Sequence, residues 1–183
     1  MAPETLLTLA WLVLFIPLLG FTILIFFGKR IGKFSDVIAT SLLGIDLVLA
    51  AIICYNKVVT YADIPLIQTK FAWFNLGKFT VDVGIGIDNL AALMLIVVTL
   101  ISFLVHLFST EYLAGDKKYT RYFAYLGLFT FSMLGIVIGN NLLFMYIFWE
   151  LVGVSSYLLI GFWYEKDSAA NAGKKAFLTN RIG

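Results

Sequence analysis

Apolar residues run along this chain in long blocks, and the polar breaks between them are short. The blocks predict helices over Thr5–Phe27, Val37–Tyr55, Leu90–Phe108, Tyr122–Ile138 and Leu142–Trp163. A sixth begins near Ala169 and is still running at Gly183. At about 1.5 Å of rise per residue, against a hydrocarbon core of about 30 Å, each complete block can cross a bilayer. Barrel strands need only about 9–11 residues, so the blocks are helices. Pro17 predicts a kink in the first. The pattern is that of an all-α, polytopic transmembrane helix bundle with five complete helices and a partial sixth.

One break is longer. Between Asn56 and Asp88, two aromatic and apolar stretches flank Asn75 to Lys78, within Lys70 to Val83. That arrangement predicts a β-hairpin between helices two and three, turning near Gly77. Trp73 and Phe74 can sit at the membrane interface or on a neighbouring subunit, or the hairpin can lie across its own helices.

Composition sharpens the class. The chain is 61% hydrophobic and 13% charged, whereas soluble domains are about 45–50% apolar and about 25% charged. Its mean hydropathy is +0.96. The net charge of +2, with no basic cluster among aromatics, points away from nucleic acid. A single cysteine, Cys54, excludes an internal disulfide and reads as a small packing residue. The first block is no signal peptide, because its leader lacks Lys and Arg and the block outruns an h-region of about 7–15 residues.

Basic residues set the expected orientation. Lys29, Arg30, Lys33, Lys117, Lys118, Arg121 and Lys166 fall in the odd-numbered loops, against Lys57, Lys70 and Lys78 in the second. That bias predicts an outer N-terminus and cytoplasmic odd-numbered loops.

Within this apolar frame, Glu150 stands out. It is the ninth residue of the Leu142–Trp163 block and so lies near mid-bilayer. A charge there costs about 2.5–3.5 kcal/mol on insertion scales, so the carboxyl must be protonated, paired or wet. Proton or ion movement is the functional reading, and a neutral carboxyl bonding a neighbouring helix is the plainer one. Other polar residues need weighing too. Asp46, within the second span, reads as an ion-path group or, slightly favoured, as a protonated acid bonding a neighbouring backbone. His106 reads as a proton relay or, more commonly, as a helix-packing group. Gly153, Ser155 and Ser156 fit close helix approach, or a hydroxyl near the carboxyl. Lys174 and Arg181 are seven apart and share a face, with Lys175 about 100° round from Lys174. A basic group facing Glu150 would stabilise its charged form. Snorkelling to the surface accounts for Lys174 better than for Arg181. Glycine-rich phosphate loops, paired metal-ligand spacings and hydrolytic triads are absent from the sequence.

Several motifs together resemble a known family. Arg121-Tyr122-Phe123-Ala124-Tyr125-Leu126 and Phe129-Thr130-Phe131-Ser132-Met133 are similar to the fourth helix of subunit L, the chain 5 type, of respiratory NADH–quinone oxidoreductase, complex I. Asn140-Asn141-Leu142-Leu143 and Phe148-Trp149-Glu150-Leu151-Val152-Gly153 resemble its fifth helix, and Lys175-Ala176-Phe177 with Asn180-Arg181-Ile182-Gly183 its sixth. Ile87-Asp88-Asn89-Leu90 and His106-Leu107-Phe108-Ser109 resemble the region of the third. The resemblance covers residues about 85–183; before that it is mostly hydropathy.

That resemblance implies a proton-pumping, Mrp-type antiporter-like subunit of the membrane arm, a translocase without a redox centre of its own. Glu150 would be the proton carrier, with Lys175 and Arg181 at sixth-helix motif positions and His106 at a histidine beside the third helix. NADH, FMN, iron–sulfur clusters and quinone would lie in partner subunits, and no cofactor or metal in this chain. Its partners would be the other membrane-arm subunits, especially the adjacent antiporter-like subunit M, and membrane lipid. The expected location is a bacterial inner membrane, with a mitochondrial inner membrane as the alternative. Residues 1–120 would form three helices with the hairpin, and 121–183 the start of the proton-translocating repeat. Family members carry more than a dozen helices, so the chain is expected to be an N-terminal piece. Two other readings stay open: a large subunit of a multisubunit cation/proton antiporter, and a structural subunit without transport.

Overall fold

The computed structural model describes residues 2–77 and 79–182; Met1, Lys78 of the second loop and Gly183 of the sixth block lie outside the described residues. The helices are α1 (Pro3–Ile31), α2 (Ser35–Tyr55), α3 (Asn89–Tyr112), α4 (Tyr119–Ile138), α5 (Leu142–Ile160) and α6 (Asp167–Ile182). A π-helical turn, Asn56–Thr60, continues α2. Strands β1 (Ile67–Leu76) and β2 (Phe79–Ile87) stand between α2 and α3. Five helices, α1 to α5, are long and apolar enough to span a membrane. The chain is thus a multi-pass membrane protein.

Local chemistry explains the boundaries. Asp88 caps α3 by accepting from the Ala91 N–H at 2.6 Å, and Asn141 caps α5 by accepting from Phe144 N–H at 2.8 Å. Helix α1 continues through Pro17 as one element, with Pro17 buried. α5 stops at Ile160, earlier than the apolar block, because Gly161 ends it and Trp163 turns away to donate to Asp116. α6 begins at Asp167 and is the most polar helix, carrying Lys174, Lys175 and Arg181.

In lipid there is little hydrophobic drive between helices, so close approach depends on small residues. Gly127 on α4 brings the α1 backbone at Pro17 and Phe21 into contact, and Gly135 lies under the Phe148 ring of α5. Large side chains such as Phe26 and Phe108 point outward, as lipid-facing residues do.

The three basic-rich turns gather at one end. Ser35 and Thr120 hydroxyls lie 2.9 Å apart, joining the start of α2 to α4. The Trp163 indole N–H donates to Asp116 at 2.9 Å, and Lys118 pairs with Glu165 at 3.0 Å and covers the Tyr164 ring. The Trp163 hydrogen bond holds the Asp116 carboxyl below the usual carboxylate range. This end has the clustering that the charge bias of the loops requires.

At the opposite end the predicted hairpin is present and antiparallel, turning at Gly77 with φ +66°. The hairpin lies across its own helices. Its base is core, with Ile67, Ile85 and Ile87 buried, while Phe71, Trp73 and Phe74 are exposed. Asn140 donates to Thr69 O at 3.2 Å and Asn141 to Asp82 O at 2.7 Å, sewing the α4–α5 turn to both strands. Gly84 makes this fit possible. A Cβ there would lie 1.9 Å from Thr69 O and 2.7 Å from Asn140 Nδ2. Gly84→Ala should therefore destabilise the protein by about 1–3 kcal/mol, as overpacking does, with a lowered midpoint in a thermal unfolding assay in detergent.

One loop residue departs from its expected place. Lys57, counted among the outer-loop lysines, is fully buried. Its Nζ donates to Ile64 O at 2.7 Å, Asn89 Oδ1 at 2.9 Å and Tyr61 O at 3.3 Å. All three ammonium protons are used, which is what a buried lysine requires.

Candidate functional site

Glu150 is the ninth of nineteen residues in α5, so the helix itself places it near the bilayer centre. Its neighbour is α6. The two helices meet where Gly161 and Gly173 approach closely and where Tyr157 and Phe177 rings lie 5.6 Å apart. This contact turns the Gly173, Phe177 and Asn180 face of α6 towards α5. Arg181, beside it, reaches the Glu150 carboxylate and forms an ion pair. The Glu150 side chain is 27% exposed and that of Arg181 56%. A cavity of about 150 Å³ adjoins them, lined by Trp149, Glu150, Val152, Gly153, Asn180 and Arg181. A carboxylate that is paired, half-buried and next to room for water can exchange a proton.

The other candidates go elsewhere. Lys175 is exposed and, among the described residues, forms no ion pair with Glu150. Six positions before Arg181, it falls on the side of α6 turned from α5. Lys174 is exposed as well. His106 is buried on α3, its Nδ1 2.8 Å from Ser102 O and its ring 5.8 Å from that of Phe123. Its ring packs against Phe123 of α4, and it is not assembled with Glu150. The Ser155 hydroxyl bonds its own helix at Val152 O, as ordinary packing would have it. Asp46 corrects an expectation. It is fully buried, but neither carboxyl oxygen has a hydrogen-bond partner, so it does not bond a neighbouring backbone. A carboxyl on the inward stripe of α2 meets neighbouring helices whose own carbonyls are spent within their ladders.

Three structural residues lie outside the predicted site. Lys57 sits in a loop-like stretch and carries no local sign of burial. Asn140 and Asn141, by contrast, precede an apolar block in the manner of a cap, and that signal was there to read.

These features define a class: a polytopic helical membrane protein with an ion-paired carboxylate at mid-span. Two family models match the chain, one described as NADH-ubiquinone oxidoreductase (complex I), chain 5 N-terminus, over residues 73–123, the other as NADH:quinone oxidoreductase/Mrp antiporter, TM, over residues 139–183. NAD(P)H-quinone oxidoreductase chain 5 of Synechocystis is 43% identical across 98% of this chain and 27% of its own length. The organellar-chromatophore subunit 5 of Paulinella chromatophora is 40% identical across 96% of this chain and 27% of its own length. The chloroplastic subunit 5 of Anthoceros angustus is 43% identical across 95% and 24%. The chain belongs to the chain 5 family of NAD(P)H-quinone oxidoreductases. Likeness extends over α1 and α2 as well, beyond the stretch where motifs alone could be read. The chain spans about a quarter of the length of the curated relatives it matches.

Proposed function

We propose that this protein is a membrane-arm subunit of an NAD(P)H:quinone oxidoreductase and moves protons across the membrane, with Glu150 as the carrier. The observation that carries this reading is the Glu150–Arg181 pair at mid-span, beside a cavity large enough for water. Arg181 favours the charged carboxylate; a change in that contact favours the protonated one. Alternation between the two loads and releases a proton. Electron transfer would take place in other subunits, which would hold the nicotinamide, FMN, iron–sulfur and quinone sites. Partners would include the adjacent antiporter-like subunit M and lipid. Lys175, exposed on the far side of α6, would act only through a group from outside these helices.

The second family description also names the Mrp antiporter, so cation/proton exchange is the second reading. The names of the relatives favour quinone-coupled pumping. Glu150→Gln in the full-length protein is the deciding experiment, with loss of proton translocation expected. Arg181 gives a separate test. Arg181→Ala should alter the infrared titration of the Glu150 carboxyl and slow proton translocation, with Arg181→Lys restoring part of it. An unchanged titration would sink the pairing.

A further inference from the structure

Arg181 is held from two sides. It pairs with Glu150, and its guanidinium carbon lies 5.9 Å from the centre of the Phe177 ring, one turn back on α6. Asn180, the residue beside it, has no such anchor. It lines the same cavity as Glu150 and Arg181, yet among the described residues its amide has no hydrogen-bond partner. An amide at membrane depth is costly unless it is bonded to protein or to water.

Contacts set the place of that amide. Along the antiparallel α5 and α6, Gly161 meets Gly173, Tyr157 meets Phe177, and Gly153 meets Asn180. A Cβ on Gly153 would stand 3.9 Å from Asn180 Cβ and 4.0 Å from its Nδ2. Because Gly153 has no side chain, nothing separates the amide from the surface of α5. Gly153 follows Glu150 by three positions, which puts the two on adjacent turns of one face. The amide therefore packs about one helical turn from Glu150, and the cavity of about 150 Å³ touches both. Among the described residues the two side chains share no direct hydrogen bond, and the cavity has room for water between them.

An ordered water needs several polar partners. Polar side-chain atoms line this cavity from Trp149, Glu150, Asn180 and Arg181. The indole and the guanidinium offer donors only. The Asn180 amide both donates and accepts, and it does not titrate. It can therefore accept from a water that also donates to the Glu150 carboxylate. It can hold the same water when Glu150 is protonated and donates to it. We propose that Asn180 is a positioning residue for proton exchange at Glu150, holding the water that bridges the cavity to the carboxyl group.

The step is balanced. A hydronium at the bridge gives its proton to a Glu150 oxygen and becomes water. In reverse, a water takes the proton and the carboxylate is restored. Asn180 gains and loses nothing; it fixes the water in line with the carboxyl. Among the described residues, Glu150 and Arg181 are the only charged groups lining this cavity.

This role of Asn180 rests on the reading that Glu150 carries protons. Its test uses the full-length protein in its complex, in sealed vesicles. Asn180→Leu keeps the approximate shape of the side chain and removes both polar ends. The infrared C=O band of protonated Glu150, identified by its loss in Glu150→Gln, should move to higher wavenumber, as for a carboxyl without its hydrogen bond. Hydrogen–deuterium exchange at that carboxyl should slow about tenfold or more, and proton movement per quinone reduced should fall. Asn180→Gln restores an amide and should recover part of each. An unmoved band with wild-type exchange overturns the proposal. So does a fall in proton movement without a change in band or exchange, because packing alone would produce it. Where Asn180→Leu does not assemble, Gly153→Val approaches from α5: its methyls would fill the space against the amide and should move the band and slow exchange in the same way. Wild-type band and exchange in that variant overturn the proposal as well. Glu150→Gln separates the two readings. Normal proton movement there removes the carrier, while the band in Asn180→Leu still decides whether Asn180 orders water at Glu150.

Discussion

Glu150→Gln, introduced into the full-length protein within its complex, should reduce proton translocation through this subunit at least about 100-fold, the scale expected when a group that exchanges protons is removed. Glutamine has nearly the same shape and can still accept from Arg181 through its amide oxygen. It keeps the α5–α6 contact and loses only the proton. The measurement is proton movement into sealed vesicles, followed with a pH-sensitive dye and divided by the rate of quinone reduction. Quinone reduction itself should persist, because the redox groups lie elsewhere in the proposed arrangement. Unchanged proton movement would mean that Glu150 is a packing carboxyl and that this part of the subunit is a scaffold. Glu150→Asp is an informative companion. It retains the acid but shortens it by one methylene, so a partial loss would show that the reach to Arg181 matters.

The second large effect should come from Lys57, which no functional reading singled out. Its ammonium gathers two backbone carbonyls of the loop after α2 and the Asn89 side chain at the start of α3. Lys57→Met keeps much of the volume but leaves all three acceptors without that donor. Each buried acceptor left unmet costs about 1–3 kcal/mol, partly offset because no ammonium need then be desolvated. A net loss of about 3 kcal/mol is expected. Thermal unfolding of the detergent-solubilised protein would show it as a lower midpoint, with reduced accumulation in the membrane. Lys57→Arg should not rescue, because a planar guanidinium cannot aim at three acceptors arranged around a point charge. Wild-type stability in Lys57→Met would mean that the loop carbonyls find other donors.

Much of this molecule can be read from the order of its residues. Spans one to five follow from block length against bilayer thickness, a comparison that needs no neighbour. The hairpin follows from paired aromatic stretches around a glycine, and Gly77 does adopt the positive φ the turn needs. Glu150 was visible because a charge in an apolar block is conspicuous wherever the helix packs. The α4–α5 turn could also be read, since a cap is a local device: Asn141 serves the N–H three residues on.

What local pattern cannot carry is which side of a helix meets which neighbour. Arg181 and Lys175 are both basic residues of one helix. Only the packing of Gly173, Phe177 and Asn180 on α5 brings the first to Glu150 and turns the second away. Lys57 and Lys70 both read as loop lysines, yet one is buried beneath three acceptors and the other is exposed. Asp46 was visible as an acid in a span, but its full burial without a hydrogen-bond partner comes from the packing of the helices around it. By itself the sequence determined the spans, the hairpin and the acid at mid-membrane, because each depends on the energy of a residue in lipid or on contacts within a few positions. The tertiary structure alone decided the pairings, because these depend on the rotation and register of one helix against another that lies tens of residues away along the chain.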